Sequence, residues 1–242
     1  IFPSWLLTAQ NTESKQLVQL KTVVIDAGHG GKDPGTIKGN VQEKNITLSV
    51  AKILGNKIKD RYPNVKVIYT RSTDKFVPLD ERAAIANRNH ADLFISIHVN
   101  ATKSSAARGT ETFVMGLDKS NSNMEVCQLE NSVLTLEDGY NSKYSGFDPN
   151  NPESYIIFSL LQNAHLEQSL IIAEAVQNEL KKGPITHNRG VKQAPFLVLW
   201  KCTMPSILVE LGFLSNPTDY KALTGKQTQV QFANAIFKAF EA

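Results

Sequence analysis

Two periodicities alternate along the chain. Short apolar, β-branched runs lie at Val23–Asp26, Val65–Thr70, Leu93–His98, Thr110–Met115, Phe196–Leu199 and Ile207–Glu210, and their length and composition predict strands. Between them apolar residues recur at helical spacing. After Glu43 they fall at Ile46, Val50, Ile53, Leu54 and Ile58. Further helices are predicted over Leu79–Asn89, just behind Pro78; over His165–Lys182, closed by Gly183-Pro184; and over Thr228–Phe240. Strands alternating with helices predict βα units and a mostly parallel sheet in an α/β fold.

One stretch breaks the rhythm. From Leu117 to about Ala164 the chain is rich in Asn, Ser, Asp and Gly, as in KYSGFDPNNPESY. A structureless loop of that length is out of keeping with a compact domain. The segment reads instead as an inserted lid or regulatory element, with a short helix over Val126–Leu136; a solvated insertion without function is the alternative. Residues 1–20 read as an N-terminal extension to a domain covering 21–242. No internal repeat or low-complexity tract interrupts that domain.

Composition narrows the function classes. The 242 residues are 41% hydrophobic and 20% charged, ordinary values for a globular domain with a sizeable core. A net charge of +3 without a Lys/Arg run carries no nucleic-acid signature. Cys127 and Cys202 form no C-x-x-C pair, which argues against a thiolate zinc site and leaves one bridge or two free thiols open. No apolar run approaches the roughly 18 residues of a membrane span. The opening IFPSWLLTAQ has no basic leader, so the compartment is not legible.

The candidate chemistry begins at VVIDAGHGGKDPG, Val23 to Gly35. A phosphate loop placed on Gly31-Lys32 would need glycine at Asp26 and a hydroxyl at Asp33; the dinucleotide pattern begun at Gly28 and Gly30 also fails at Asp33. Attention moves to His29, just past the first run. His98 ends LFISIH and Glu210 ends ILVE. In a parallel sheet the carboxyl ends of the strands share one edge, where ligands bind. The helix opened by Glu43 starts near that edge. Two imidazoles and a carboxylate make a catalytic zinc set, and a second carboxylate can act as base. Each residue has a plainer reading: His29 in a loop, His98 as a satisfied core histidine, Glu43 in an Asn40-x-x-Glu43 capping box. Glu210 is the hardest to dismiss, because a buried carboxylate is costly unless paired or metal-linked. Arg71 follows the Val65 run toward the same rim, where it can hold a carboxylate or make a simple ion pair. His90, His165 and His187 read as surface or capping residues.

Six ordered blocks then carry a resemblance. VVIDAGHGGKDPGTIKG with Glu43, TRSTDKFVPLDERAAIAN, ADLFISIHVNA, GTETFVMG, RGVKQAPFLVLW and MPSILVELGFLSNPTD resemble the zinc-dependent N-acetylmuramoyl-L-alanine amidases that cut bacterial peptidoglycan. The resemblance covers Thr22 to Leu223 apart from the insertion. It implies a single α/β domain with a twisted, mostly parallel six-stranded sheet flanked by helices. It implies Zn2+ on His29, Glu43 and His98, and Glu210 as the catalytic glutamate. Activated water would then hydrolyse the amide between the muramoyl lactyl group and L-alanine, releasing stem peptides. Arg71 and Asn100 become candidates for binding substrate or orienting the metal ligands. The insertion sits where periplasmic cell-separation amidases carry a helix over the active site. By that resemblance the chain would be autoinhibited, with Glu130 as the plug, Glu125 and Glu137 as rivals, and an activator protein to displace it. A bacterial envelope location, periplasmic or secreted, a monomeric state and a role in daughter-cell separation follow from the same comparison. A zinc peptidase or deacetylase finds no H-E-x-x-H, and a non-catalytic wall-binding module would not need all four site residues.

Overall fold

The computed structural model describes residues 20–116, 120–144, 147–155 and 164–242. The expected N-terminal extension, except its last residue, lies outside the described residues, as do parts of the insertion. Six strands form one sheet: β1 (Thr22–Ala27), β4 (Lys66–Tyr69), β5 (Leu93–Asn100), β6 (Thr110–Met115), β7 (Asn188–Ala194) and β8 (Ser206–Phe213), in the order β4-β1-β5-β8-β6-β7. The first four in that order run parallel. β6 is antiparallel to β8, and β7 is parallel to β6 at the edge. Two short strands, β2 (Ile37–Lys38) and β3 (Val41–Gln42), pair as a hairpin just before helix α1 (Glu43–Arg61).

Burial on both faces explains why the inner strands read as continuous apolar runs. Val23, Ile25, Ile95, Ile97, Ile207 and Val209 face one layer made by α1, α5 (Leu166–Leu180) and α8 (Lys226–Glu241). Val24, Phe94, Phe113 and Leu208 face the other. That second layer is α2 (Leu79–Arg88), α3 (Asn121–Asn131), the short turns α4 (Tyr140–Lys143) and α6 (Leu197–Trp200), and their flanking loops. Alternation along each strand sorts the two sets. His98 and Glu210 share the second face with Phe94 and Leu208.

One expectation needs correction, and two elements went unexpected. Phe196–Leu199 is not a strand. Leu197–Trp200 makes one helical turn whose first amide donates to Asn131 Oδ1 at 3.0 Å. Its apolar run is buried because both the sheet and α3 cover it, and a short run cannot by composition alone tell strand from helix. The strand is upstream at Asn188–Ala194, an edge strand half open to solvent, with polar residues that hide its periodicity. A helix over Pro217–Thr224 (α7) was also missed; Asn216 caps it, accepting from Thr218 N and Asp219 N, with Pro217 in the first turn.

The insertion is partly helical, as the sequence suggests, but α3 starts earlier than expected and passes into a 3-10 turn at Ser132–Leu136. Asn131 fastens it. Its Nδ2 donates to Pro195 O at 3.2 Å and Tyr155 Oη at 3.3 Å, while Oδ1 takes the Leu197 amide. Tyr155 in turn donates to Pro149 O and packs edge-on against Phe147.

Candidate active site

The site forms where β1 ends. Gly28 N donates to Ile97 O, and the chain then turns through positive φ at His29 (62°), Gly30 (126°) and Gly31 (58°). A left-handed histidine is uncommon and is held here by its surroundings. Two buried arginines do the holding. Arg82 donates to Val77 O, Ala27 O and His29 O. Arg71 donates to the carbonyls of Ala27, Gly28, Lys44 and Thr73 and to Thr47 Oγ1. Arg71 therefore supports the histidine loop; all its hydrogen bonds among the described residues go to oxygens of the protein itself, and none goes to a carboxylate.

Two glycines are required for close approach. A Cβ at Gly28 would lie 2.5 Å from the His98 ring, and one at Gly35 would lie 2.6 Å from His29 and 2.7 Å from Glu43 Oε2. The glycines pack directly beneath the side chains that matter.

The four carboxylates and imidazoles named from the sequence arrive together, and Glu130 arrives with them. His29 Nε2 lies 3.1 Å from Glu43 Oε1 and 3.1 Å from Glu130 Oε2; His98 Nδ1 lies 3.3 Å and 2.9 Å from the same two oxygens. All four ligand atoms fall within 4.8 Å of one another. A tetrahedral ion with bonds of about 2.0–2.1 Å has ligand edges of about 3.3–3.4 Å, near the four imidazole–carboxylate distances. His29 Nε2, His98 Nδ1 and both Glu130 oxygens are buried yet make no aligned hydrogen bond among the described residues. Buried imidazole and carboxylate atoms gathered this closely, without hydrogen bonds to occupy them, make a donor set that could hold a divalent metal. Glu210 lies beside them, its residue paired with His98 across β5 and β8, and both its oxygens are buried without a hydrogen-bond partner among the described residues.

Supporting contacts fix the donors. Glu43 is the first residue of α1 rather than part of a capping box. Val99 N donates to its Oε1 at 2.7 Å and Thr36 N to its Oε2 at 2.9 Å. Asp33 Oδ2 sits 2.7 Å from His29 Nδ1, and its other oxygen accepts from Gly35 N. That carboxylate orients the ring so that Nε2 faces the cluster. Sequence reasoning used Asp33 only to discard phosphate motifs; the spacing His29-x-x-x-Asp33 carried no signal of its own. Asn100 donates to Glu111 Oε1 at 2.7 Å, one strand away from Glu210. Glu111 was also missed. Of the rivals for the plug, Glu125 is exposed on α3, and Glu137 is engaged with Leu79 N, Tyr144 and Lys143.

The charges answer one another. Burial alone would lower the His29 pKa, but Glu43 and Glu130 override it and hold the imidazole well above its usual range. His98 is pushed up to about 10 by the same contest, with Glu130 the principal carboxylate. Glu43 and Glu130 are held low against their own burial, chiefly by His29 and His98 respectively. Glu210 goes the other way: burial and the Glu130 carboxylate push it well above the usual carboxylate range.

Comparison with known proteins places this geometry. Residues 23–242 match the family model described as N-acetylmuramoyl-L-alanine amidase. The uncharacterized protein YqiI of Bacillus subtilis is 33% identical over 98% of this chain and 91% of its own length. The amidase AmiC of Neisseria meningitidis is 35% identical over 88% of this chain, which spans 50% of AmiC. The crystal structure of N-acetylmuramoyl-L-alanine amidase from Clostridium difficile superposes with a TM-score of 0.67 at 28% identity, covering 92% of this chain and 95% of that one. The fold, the matched residues and the relatives agree: the chain belongs to the N-acetylmuramoyl-L-alanine amidase family, hydrolases that act on peptidoglycan.

Proposed function

We propose that the chain is a zinc-dependent amidase held in a closed state by its own insertion. The observation that carries this reading is the convergence of His29, Glu43, His98 and Glu130 on one centre. His29, Glu43 and His98 would hold Zn2+, and Glu130, against the same centre, would stand where water or substrate has to enter. Bound there, the ion supplies Lewis acidity, making a water molecule acidic near neutral pH and polarising the lactyl carbonyl.

The remaining work belongs to the protein. Glu210 accepts the proton released as the water oxygen bonds to the lactyl carbon, then delivers it to the alanine nitrogen as the carbon–nitrogen bond breaks. Asp33 holds His29 in register, and Arg71 and Arg82 hold the loop that carries it. Residues of about 117–164 act as the lid, and Glu130 must leave before substrate enters. An activator protein that draws α3 away would open the site. The substrate places the enzyme in the bacterial envelope, periplasmic or secreted, with stem-peptide removal during wall remodelling and daughter-cell separation. Among the described residues no helix is long and apolar enough to cross a membrane.

The test compares the intact chain with Glu130→Ala, each assayed for bound zinc and for release of peptide from purified peptidoglycan. Both should bind zinc, and the variant should release peptide faster. Equal rates would remove the plug from the account.

A further inference from the structure

A second charged cluster lies beside Glu210, on the side away from the proposed metal centre. Glu111 on β6 is the residue directly opposite Glu210 on β8, so both side chains leave the same face of the sheet. Glu111 is fully buried. Its Oε1 is taken by Asn100, while Oε2 receives two cations at once: Lys192 Nζ at 2.6 Å and Arg189 Nε at 2.7 Å.

One carboxylate needs one counter-charge. Two cations on a single oxygen leave a surplus positive charge beside Glu210. Neither cation is sealed in, since the Arg189 side chain keeps 27% of its surface exposed and the Lys192 side chain 18%. Both are held in place from below: Arg189 lies over the Phe213 ring at 5.0 Å and Lys192 over the Phe113 ring at 5.8 Å. Arg189 spends its Nε on Glu111, and among the described residues its terminal guanidinium nitrogens make no hydrogen bond, leaving a planar fork, the group best matched to a carboxylate.

We propose that Arg189 and Lys192 form a subsite for a carboxylate of the stem peptide, on the L-alanine side of the scissile amide. This rests on the proposed amidase reading. Glu111 serves as the buried anchor that sets both cations side by side, next to the residue that receives the proton. The subsite makes the enzyme prefer a peptide whose second residue carries a free carboxylate over one in which that group is an amide.

The experiment measures binding as well as turnover. Two L-alanyl-D-glutamyl peptides, each extended through the γ-carboxyl and capped as a C-terminal amide, one with a free α-carboxylate and one with an α-amide, differ only in that group. Their dissociation constants are measured by calorimetry on the zinc-loaded full chain, on Glu130→Ala, and on Glu130→Ala carrying Arg189→Gln and Lys192→Met. With Glu130→Ala the acid should bind about ten-fold tighter than the amide, roughly one charge-assisted contact, and the added double substitution should reduce that ratio to near one. The ratio of kcat/KM for the matching muramoyl peptides should fall in parallel. Equal affinity for acid and amide in Glu130→Ala, or a preference that survives the double substitution, would overturn the subsite. Absence of turnover with the acid preference intact would instead count against the amidase reading.

Discussion

At the scale of single residues, the site depends on side chains held by neighbours that do no chemistry. His29 sits at a positive φ, and its ring is oriented by Asp33 at 2.7 Å. Asp33→Asn keeps the shape but weakens the acceptor, and outer carboxylates of this kind are worth about 10–100-fold in metal affinity. Zinc titration should show a loss of that size with the circular dichroism spectrum unchanged; unchanged affinity would make Asp33 a loop residue only. Neither Glu210 oxygen has a hydrogen-bond partner among the described residues, so Glu210→Gln should retain zinc while kcat falls by about 10²–10⁴-fold, the range of a lost general acid–base group. His29→Ala should lose both. A Glu210→Gln protein with full activity would sink the proposed proton path.

At the scale of elements, the plug helix is fastened by one buried amide. Asn131 joins α3 to Pro195, Leu197 and Tyr155. Asn131→Ala leaves the buried Leu197 N–H without its acceptor, at a cost of about 1–3 kcal/mol. The loss falls on the closed arrangement, so basal peptide release should rise as it does with Glu130→Ala. A lower melting temperature without higher activity would separate anchoring from gating.

The elements also show what the chain discloses before folding. The inner strands were legible because burial on both faces writes them as apolar runs, and α1 because its buried stripe repeats at helical spacing. β7 was not, since half its side chains face solvent and its place in the sheet depends on pairing with distant β6. The gathering of His29, Glu43, His98 and Glu210 at one edge followed from the strand pattern alone. Their supports did not. Glu111 and Arg82 act through contacts far along the chain, and Asp33 acts through its neighbours His29 and Gly35; no spacing marked either kind. Of Arg71 only its place at the rim was legible, not the loop carbonyls it holds. Resemblance, not periodicity, singled out Glu130.

At the scale of the whole molecule, the sheet is pinned beneath the site by a buried ion pair. Asp26 accepts from Arg82 Nη1 at 2.8 Å, from Thr70 Oγ1 and from Ser96 Oγ. Burial alone would raise the Asp26 pKa, yet Arg82 and the two hydroxyls win and hold it below the usual aspartate range. A depressed folded value means the stabilisation is whole above the unfolded pKa and fades as pH falls through the folded one. Acid unfolding of the chain should therefore lose this contribution only below about pH 4. Asp26→Asn should flatten that part of the curve and, by leaving Arg82 buried and unpaired, cost about 3–5 kcal/mol at neutral pH. A variant with wild-type stability at pH 7 would show that the pair holds nothing together.

The central claim is the bond that is cut. Zinc-loaded Glu130→Ala protein is incubated with purified peptidoglycan, and the soluble products are identified by mass spectrometry. The account predicts free stem peptides with L-alanine at their amino end, and glycan strands whose muramic acid keeps an intact, free lactyl carboxylate. New ends within the peptide or within the glycan, with the lactyl amide left whole, would contradict it.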